Sequence, residues 1–301
     1  MTLRTIVAAF GGDLYAGGAR ASIPAPGHSP ADRSVSLLLN GDRLVIHGFG
    51  GADWREVRDL LRGRGFIDHD GRLTGAPRSP QAPPRPDRRQ REAAATRLWA
   101  GALVLEAGSL AARHLWLRGV INGCDALNLG FHPRAPISVY RQLGATRAAL
   151  VARVSDEEDR LTAVEITYLA PSGRRATDLN LSRKTVGHMP AGAAVRLSQA
   201  DDEMLVAEGV TTTLSAMARF QLPGWALMSA NNLAVWTPPP GVRRVLIAGD
   251  RGVVGQAAAL RLRSRLEAAG LSARATWPGP PFGDWNEAAV GQASARGEGG
   301  R

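Results

Sequence analysis

Two short apolar runs, each ending in a carboxylate, decide the fold of this chain. Residues 204–208 read Met-Leu-Val-Ala-Glu, and residues 245–250 read Val-Leu-Ile-Ala-Gly-Asp. Runs of this length, rich in branched apolar residues and followed by helical patterns, are typical of buried parallel strands. Ligands of open α/β sheets gather at the carboxyl ends of such strands. Glu208 and Asp250 are therefore predicted to meet at one sheet edge, where their oxygens would suit Mg²⁺.

The residues around these runs alternate between strand and helix patterns from residue 200 to residue 292. Such alternation is typical of an α/β fold, in which helices flank a mostly parallel, Rossmann-like sheet. We expect this unit to be the C-terminal domain. Its predicted elements are strand 204–207, helix 210–220, strand 225–229, a short helix near 231–236, strand 244–249, helix 254–269, strand 272–277 and a short helix after Asp284.

The chain before and after this unit has a different composition. Residues 75–91 hold five prolines among Arg and Gln, which is typical of a linker. Residues 92–199 are helical first and β-rich afterwards, which predicts a small α+β region. Residues 293–301 are expected to form a disordered tail. The elements expected within 92–199 are a helix starting at Glu92, a helix over 110–117 and strands over 150–154, 162–169 and 177–181.

Residues 1–74 are predicted to form a small unit built on a β-hairpin. Segments 34–40 and 43–49 have strand patterns, and Asn40-Gly41-Asp42 between them is a strong turn signal. We expect apolar side chains to hold this unit together. The expected members of its core are Val35, Leu37, Val45, Phe49 and Trp54.

The charge of the chain indicates a polyanionic partner. The 301 residues, 44% of them hydrophobic, are enough for two domains with cores, and the net charge is +10. A surplus of this size suits a nucleic acid or an acidic membrane surface. The alternative is compositional bias, because the basic residues are almost all Arg in a chain rich in Ala, Gly and Pro.

The cysteine content and the hydropathy of the sequence exclude disulfide-linked, cysteine-zinc and membrane-spanning classes of protein. Cys124 is the one cysteine, so a disulfide within the chain and a cysteine zinc cage are excluded. The N-terminal apolar stretch is too short for a signal core, and no run approaches the roughly 20 apolar residues of a membrane span. We expect a cytoplasmic protein without a membrane partner.

Four segments resemble, in order and spacing, the Toprim domain. The resemblance covers about residues 200–292 and ends on a motif similar to the "G-K-D-W-N-D" of phage and plasmid primase-helicase proteins. Topoisomerases, primases and some nucleases share this domain, so the fold leaves the reaction open. The segments are Ala207-Glu208-Gly209-Val210-Thr211-Thr212-Thr213-Leu214, Met228-Ser229-Ala230-Asn231-Asn232-Leu233, Asp250-Arg251-Gly252-Val253-Val254-Gly255-Gln256-Ala257-Ala258 and Gly283-Asp284-Trp285-Asn286-Glu287.

The resemblance implies roles for particular carboxylates. Glu208 takes the place of a catalytic general acid or base or a metal ligand, and Asp250 that of a catalytic aspartate holding Mg²⁺ or Mn²⁺. Gly252 stands where the family has its second aspartate, which implies weaker metal binding unless Asp284 compensates. The alternatives are structural: Glu208 and Asp250 would interact with the N-termini of the following helices, and Asp284 would be an N-cap.

The residues flanking the N-terminal hairpin resemble the primase-type zinc ribbon, which carries C-x-x-H before its hairpin and C-x-x-C after it. His28 stands at a ligand position, but Ala25, Gly48 and Gly51 stand where the cysteines belong. A structural zinc needs four nitrogen or sulfur ligands. We therefore expect a degenerate ribbon that binds no zinc, with His28 as a remnant. The alternative is an accidental similarity, in which His28 is an ordinary loop histidine.

Four basic residues are candidates for contacts with nucleic acid or nucleotide phosphates. Arg118 lies in a segment, 114–120, that resembles the "Y-L-x-x-R-G-I" of primase-like proteins. Arg183 and Lys184 lie in a basic turn that leads into the Toprim-like unit, and Arg251 follows Asp250. The alternatives are a helix-terminal arginine at 118 and solvated loop residues at the others. Six tryptophans are predicted to be core or half-buried residues, the alternative being a platform on which bases stack: Trp99, Trp116, Trp225, Trp236, Trp277 and Trp285.

Taken together, the resemblances imply a primase-like protein of a phage, plasmid or integrated element. The implied reaction is Mg²⁺-dependent primer synthesis from nucleotides on single-stranded DNA. A separate helicase is a further implied partner, because the chain has no Walker lysine loop. Two alternatives stay open, a catalytically degenerate DNA-binding accessory module and a Toprim nuclease.

Overall fold

The computed structural model describes residues 1–30, 32–49, 52–75, 86–140, 144–179 and 181–298. The chain divides into two compact units, Met1–Arg85 and Pro86–Arg301. Most of the predicted linker lies outside the described residues. Within the described part of the chain, no helix combines the length and the hydropathy needed to cross a bilayer.

In its described residues, the first unit has a four-stranded antiparallel sheet and two α-helices. Its sheet order is sequential from the first strand to the fourth, and the last two strands are the predicted hairpin. The N-terminal helix and the first two strands were not predicted. The elements are α1 (Leu3–Phe10), β1 (Asp13–Tyr15), β2 (Arg20–Ile23), β3 (Val35–Asn40), β4 (Arg43–Gly48) and α2 (Trp54–Gly63).

The core of this unit differs in part from the prediction. Val35 and Leu37 are fully buried, as expected, but the placement of Val45, Phe49 and Trp54 in the core is wrong, since these side chains are 39–53% exposed. Side chains of a strand alternate between its faces, so burial of Leu44 on β4 turns Val45 outward. Helices α1 and α2 complete the core with Leu3, Ile6, Val57 and Leu61.

The described part of the second unit contains two five-stranded sheets. Its elements are α3 (Arg88–Ala100), β5 (Leu103–Val104), α4 (Leu110–Leu117), β6 (Leu129–Pro136), β7 (Thr146–Ser155), β8 (Leu161–Tyr168), β9 (Arg183–Gly187), β10 (Val195–Arg196), β11 (Glu203–Ala207), α5 (Val210–Phe220), β12 (Gly224–Ala226), α6 (Ala230–Val235), β13 (Arg244–Ala248), α7 (Val253–Ala268), β14 (Ser272–Thr276) and α8 (Trp285–Glu298).

The first sheet of this unit is antiparallel and runs β5-β6-β7-β8-β9. The strand predicted at 177–181 is wrong: the last strand is β9, in the segment interpreted as a basic turn. Its pairing with β8 joins Thr167 to Arg183 and Glu165 to Thr185. Because β9 has polar side chains on one face and only Val186 deeply buried on the other, it lacks the apolar signal on which the prediction depended.

The second sheet has the order β10-β12-β11-β13-β14, parallel except at β10. This confirms the α/β class and the predicted alternation from strand 204–207 onward. Residues 204–207 and 245–248 are buried at the centre of the sheet. The strand predicted to reach residue 229 ends at Ala226, because Met228 has φ +67° and leaves the extended region.

Two predicted boundaries and one predicted core residue need correction. Helix α3 begins at Arg88 instead of Glu92, because Asp87 and Gln90 form a reciprocal capping box. Helix α8 continues to Glu298, so most of the tail predicted at 293–301 is helical. Trp116 is 65% exposed on α4, whereas Trp225 and Trp236 are buried as predicted.

Candidate functional site

Four carboxylates lie together at the carboxyl edge of the second sheet. Strands β11 and β13 are parallel neighbours with Ala207 opposite Ala248, so the residues that follow them emerge side by side. Glu208 directly follows β11, and Asp250 lies two residues after β13. Asp284 and Glu287 belong to the start of α8. We call these four residues the acidic crevice.

The electrostatics of Asp250 show that the charges of the other three groups act on it. Burial raises the pKa of Asp250, and the charges of Glu208, Asp284 and Glu287 raise it further, to about 7. The Oδ1 atom of Asp250 is buried without a hydrogen-bond partner. Glu208 and Asp250 are therefore brought together by the fold, and the crevice repels further negative charge.

Burial also raises the pKa of Glu208, while the Ala230 backbone N–H and the charge of Arg183 oppose the change. The carboxylate of Glu208 is half-buried at the end of its strand. It can hold a proton nearer neutral pH than an exposed glutamate, which is the property required of a general base or acid.

Asp284 and Glu287 are held by the first turn of α8. Asp284 Oδ1 accepts a hydrogen bond from the Glu287 N–H at 2.8 Å, and Glu287 Oε2 accepts one from the Gly283 N–H at 2.7 Å. Asp284 therefore has the geometry of an N-cap, the structural role left open above, and also lies beside Asp250. Glu287 was not predicted as a site residue, although its segment was singled out.

The donor set of the crevice fits a divalent cation. Hard cations such as Mg²⁺ bind carboxylate oxygens and keep several waters. A buried carboxylate oxygen without a hydrogen-bond partner, such as Asp250 Oδ1, is stabilised by a bound cation. Among the described residues, only Asp68, His69 and Asp70, a surface set in the first unit, have ligand atoms all within 4.8 Å of one another. Glu208, Asp250 and Asp284 are spaced more widely, which suits an ion that retains water between them.

Gly252, which stands at the position of the second aspartate of the motif, has a backbone conformation that disfavours an aspartate. This residue has φ +121° and lies just before α7. No heavy atom lies within 4 Å of a Cβ placed there, so space is not the obstacle. An aspartate would be strained by the backbone conformation alone, because L-residues rarely adopt this φ.

Beside the acidic crevice lies a cavity of about 330 Å³, which we call the arginine pocket. Its basic residues are Arg118, Arg174, Arg175 and Arg183. Val210 and Thr211, at the start of α5, also line it, so the pocket begins two residues from Glu208. The N-terminus of a helix favours anions because its backbone N–H groups are unpaired.

The positive charge of the pocket is largely uncompensated. Arg183 Nε lies 3.8 Å from Glu165 Oε2. No ion pair joins Arg118, Arg174 or Arg175 to a carboxylate in the described parts of the chain. Four guanidinium groups around a small cavity favour a ligand with several negative oxygens, since each can bind phosphate with two parallel hydrogen bonds.

The turn that carries two of these arginines is attached to α4. His114, which is buried, is within 2.9 Å of the Gly173 carbonyl oxygen through Nδ1. Burial lowers the pKa of His114, so the ring is neutral and its Nδ1–H donates to the carbonyl. Arg113 packs over Gly173, where an added Cβ would lie 2.9 Å from the Arg113 Cγ. Through these two contacts, α4 holds the turn that places Arg174 at one side of the cavity.

A second buried side chain fixes Arg118. Asn286, which is fully buried on α8, donates to the Arg118 carbonyl at 2.6 Å and lies 3.0 Å from Ser215 Oγ on α5. Asn286 is two residues from Asp284. One short segment therefore contributes to the acidic crevice and also holds a wall of the arginine pocket.

The predicted basic residues divide into two groups. Arg118 and Arg183 line the pocket. Lys184 faces the opposite side of the sheet, where its Nζ donates to the Ile137 carbonyl at 2.6 Å and lies over the Tyr168 ring. Arg251 donates to the Pro278 carbonyl at 2.7 Å and so braces the loop before Asp284. The described contacts give Lys184 and Arg251 structural roles, and sequence reasoning missed Arg174, Arg175 and Glu165.

The segment that resembles a zinc ribbon is organised around a carboxylate. Asp32 accepts hydrogen bonds from the Ala25 N–H at 2.9 Å and from the Ser34 hydroxyl, and its Oδ2 lies 3.2 Å from His28 Nδ1. An added Cβ at Gly48 would lie 1.9 Å from the Ala52 carbonyl oxygen, so no ligand side chain fits there. Gly51 lies outside the described residues, and the absence of zinc stays a prediction.

The C-terminal sequence matches a known family. Residues 203–295 match the Toprim domain, and residues 89–197 match a domain of unknown function, DUF7146. The C-terminal part of the chain is therefore a Toprim domain, as the resemblance of its four segments implied. Toprim domains typically bind Mg²⁺. Comparison with curated proteins gave no significant match.

Solved structures of primases are similar to this chain at low identity. The Aquifex aeolicus primase, with its zinc-binding and RNA polymerase domains, is 13% identical, with 98% of this chain and 82% of that one covered and a TM-score of 0.45. The primase fragment of the bacteriophage T7 primase-helicase is 14% identical, with coverages of 92% and 97% and a TM-score of 0.41. The DnaG primase catalytic domain bound to ssDNA is 14% identical, with coverages of 68% and 80% and a TM-score of 0.41. Similarity at this level carries no information about activity.

Proposed function

We propose that this chain is a primase-like Toprim protein that carries out Mg²⁺-dependent nucleotidyl transfer, joining nucleotides into a primer on single-stranded DNA. The observation that carries the proposal is the adjacency of the acidic crevice and the arginine pocket. Arg183 lines the pocket, and its positive charge also lowers the pKa of Glu208. A nucleotide with its phosphates among the arginines would thus have its reacting phosphorus near the carboxylates.

The reaction requires attack of a 3′-hydroxyl oxygen on the α-phosphorus of a nucleoside triphosphate. The new P–O bond forms as the bond to the β-phosphate oxygen breaks, and pyrophosphate leaves. Glu208 accepts the proton of the attacking hydroxyl, and the arginines neutralise the phosphate charge. Glu208, Asp250 and Asp284 would hold the divalent ion, which when bound polarises the phosphoryl oxygens.

A primer-synthesis assay tests the proposal. The full chain is incubated with ribonucleotides, single-stranded template and Mg²⁺ or Mn²⁺, and products are resolved by length. Glu208→Gln and Asp250→Asn should each lower product by at least about 100-fold, the scale of a lost general base or metal ligand. Glu203→Gln, an exposed change at the other end of β11, is the matched control and should leave product formation intact.

Two other functions give different outcomes in the same experiment. A degenerate accessory module, favoured by the Gly252 substitution, would bind DNA and form no product with either metal. A Toprim nuclease would nick a plasmid in a Glu208-dependent way and make no primer. A role in replication of a mobile element beside a separate helicase belongs to this proposal, and restored synthesis upon adding a helicase from the same element would support it.

A further inference from the structure

Glu165 is a carboxylate in a pocket of arginines. It lies in the middle of β8, paired with Ala152 on one side and Thr185 on the other, and its side chain lines the cavity. A pocket made only for phosphate has no use for this group, because a carboxylate repels phosphate at short range. The carboxylate therefore suits a ligand of which one part is not phosphate.

The carboxylate of Glu165 is poorly satisfied by the protein. Its single ion-pair partner among the described residues is Arg183, with Nε at 3.8 Å, which is beyond hydrogen-bond distance. No hydrogen bond to it is found in the part of the chain that the structure describes. Burial raises its pKa above the ordinary value of 4.5, with Arg183 opposing the change. A half-buried carboxylate in this state gains from a ligand that donates a hydrogen bond.

The cavity has room for such a ligand. Its volume of about 330 Å³ falls at the lower end of small-molecule sites, which run from roughly 300 to 1,000 Å³. Thr167 lies on the same face of β8, two residues along, and Thr211 lies at the start of α5. These hydroxyls add polar groups that carry no charge, so the surroundings of Glu165 suit a sugar or a base edge better than a further phosphate.

We propose that Glu165 accepts a hydrogen bond from the nucleoside part of a nucleotide whose phosphates lie among the arginines, so that the pocket selects nucleotides over inorganic polyphosphates. This inference rests on the proposed function. The donor is a sugar hydroxyl or an exocyclic amine of the base, both of which offer a neutral N–H or O–H to a carboxylate. Glu165 is thus a specificity-determining residue.

Calorimetric binding to the full chain tests the inference, with ATP and inorganic tripolyphosphate as probes. Glu165→Ala should weaken ATP binding about tenfold, the scale of one hydrogen bond to a charged group, while tripolyphosphate binding strengthens because a negative charge is removed. Glu165→Gln keeps the shape of the side chain, and its affinities for both ligands should fall between those of wild type and Glu165→Ala. Glu158→Gln, which removes an exposed charge paired with Arg160, should change neither affinity. Thermal melting identifies any variant that fails to fold.

The outcomes separate this inference from its rivals. A parallel loss of both affinities in the two Glu165 variants would show a structural role, and a parallel gain would show a mere counter-ion of Arg183; either result overturns the inference. A wild-type chain that binds neither probe overturns it as well. If the affinity ratio shifts as expected but no primer is made, the proposed function fails and the inference stands.

Two analogues identify the donor. 2′,3′-Dideoxy-ATP lacks the sugar hydroxyls, and inosine triphosphate lacks the adenine amine. The analogue without the donor should bind wild type about tenfold more weakly than ATP and, like tripolyphosphate, should lose no affinity in Glu165→Ala. Equal affinity of both analogues and ATP for the wild-type chain would contradict the proposed contact.

Discussion

Asp250 is partly buried, its Oδ1 atom has no hydrogen-bond partner, and three other carboxylates lie near it. Each of these disfavours its charged form, and together they raise its pKa to about 7. Without a cation the protein therefore carries a destabilising charge at the centre of its crevice whenever this group ionises. A site that is electrostatically unfavourable when empty is a site that gains most from a bound cation.

Asp250→Asn should stabilise the metal-free protein at high pH. The pKa of Asp250 is raised from 3.8 in the unfolded chain to about 7 in the folded one, so stability falls as pH rises between these values. The full shift corresponds to at most about 4 kcal/mol. Solvent screening of this partly exposed group reduces the expected gain at about pH 8 to about 1–2 kcal/mol. Chemical denaturation with a chelator present measures it.

The gain should vanish at about pH 4, where wild type holds the proton itself. Addition of Mg²⁺ should raise the melting temperature of wild type and not of the variant. Equal stability of the two proteins at about pH 8 would show that Asp250 is not held near its neighbours.

Asp32 has the opposite environment. Hydrogen bonding from the Ser34 hydroxyl, and then from the Ala25 N–H, lowers the pKa of Asp32 to about 2. The stabilisation is therefore present above pH 3.8 and is lost as the pH falls through about 2. Asp32→Ala should increase hydrogen–deuterium exchange in β2 and β3 at neutral pH, because the loop between them loses the carboxylate that accepts its hydrogen bonds.

Asp59→Ala is the control for this change, because Asp59 is an exposed carboxylate that only pairs with neighbouring arginines on α2. It should leave exchange in β2 and β3 unchanged. If zinc chelation, and not Asp32→Ala, loosened this loop, the metal-free interpretation of the ribbon would be wrong.

At the scale of elements, the arginine pocket depends on a turn and a helix held together by His114. The Arg174–Arg175 pair follows the turn after β8, and Arg118 ends α4. These elements meet because the His114 ring donates to the Gly173 carbonyl. Long arginine side chains lose considerable entropy when ordered, so a fixed backbone at both ends lowers the cost of bringing their charges together.

His114→Leu should therefore weaken tripolyphosphate binding about three- to tenfold, because the lost hydrogen bond, worth about 1 kcal/mol, frees the turn. His114→Asn places an amide N–H near the Nδ1 position and should restore most of the affinity. Calorimetry at constant pH measures both. Equal loss in the two variants would assign the effect to packing and not to the hydrogen bond.

Strand β9 depends on a glycine at its end. Gly187 has φ +127°, and an added Cβ would lie 2.3 Å from the Thr162 carbonyl oxygen. Gly187→Ala should lower the free energy of unfolding by about 1–3 kcal/mol, the cost of a strained backbone position. It should also weaken tripolyphosphate binding, because Arg183 is on this strand.

Gly108→Ala is the matched control, since its backbone is unstrained and nothing lies within 4 Å of the added Cβ. Its stability and its affinity for tripolyphosphate should be those of wild type. Both variants are compared by urea denaturation. A stable Gly187→Ala protein with normal phosphate binding would contradict the assigned register of β8 and β9.

At the scale of the whole molecule, the surplus of positive charge has a partial structural explanation. Many arginines pair with carboxylates at the surface, whereas among the described residues only one of the four pocket arginines, Arg183, has a carboxylate partner, Glu165. The net charge of +10 should make binding to single-stranded DNA fall steeply with salt, through release of condensed counterions.

The salt dependence separates pocket arginines from surface arginines. Arg175→Ala should reduce the slope of log K against log salt by about 0.7, the value for one phosphate contact on a single strand. Arg160→Ala removes the same charge from a surface ion pair with Asp156 and should leave the slope nearly unchanged. Fluorescence anisotropy over a salt series measures both. Equal slopes for the two variants would place the DNA away from the pocket.

The sequence by itself determined the α/β alternation of the C-terminal unit and the meeting of Glu208 with Asp250. Both follow from local physics, because buried parallel strands need continuous apolar runs and parallel neighbours end at the same edge. The same local logic failed at β9 and β4. The apolar pattern of β9 is weak, and β4 has apolar residues on both of its faces. Only the partner strands therefore decide which residues pair and which face is buried.

Only the tertiary structure decided the arginine pocket. Its basic residues lie between Arg118 and Arg183, on a helix end, a turn and a strand, and no spacing rule connects them. Their convergence depends on the His114 and Asn286 hydrogen bonds, which join residues 59 and 168 positions apart in the chain. Periodicity reports on neighbours within one element, whereas a site assembled across elements is set by packing between them.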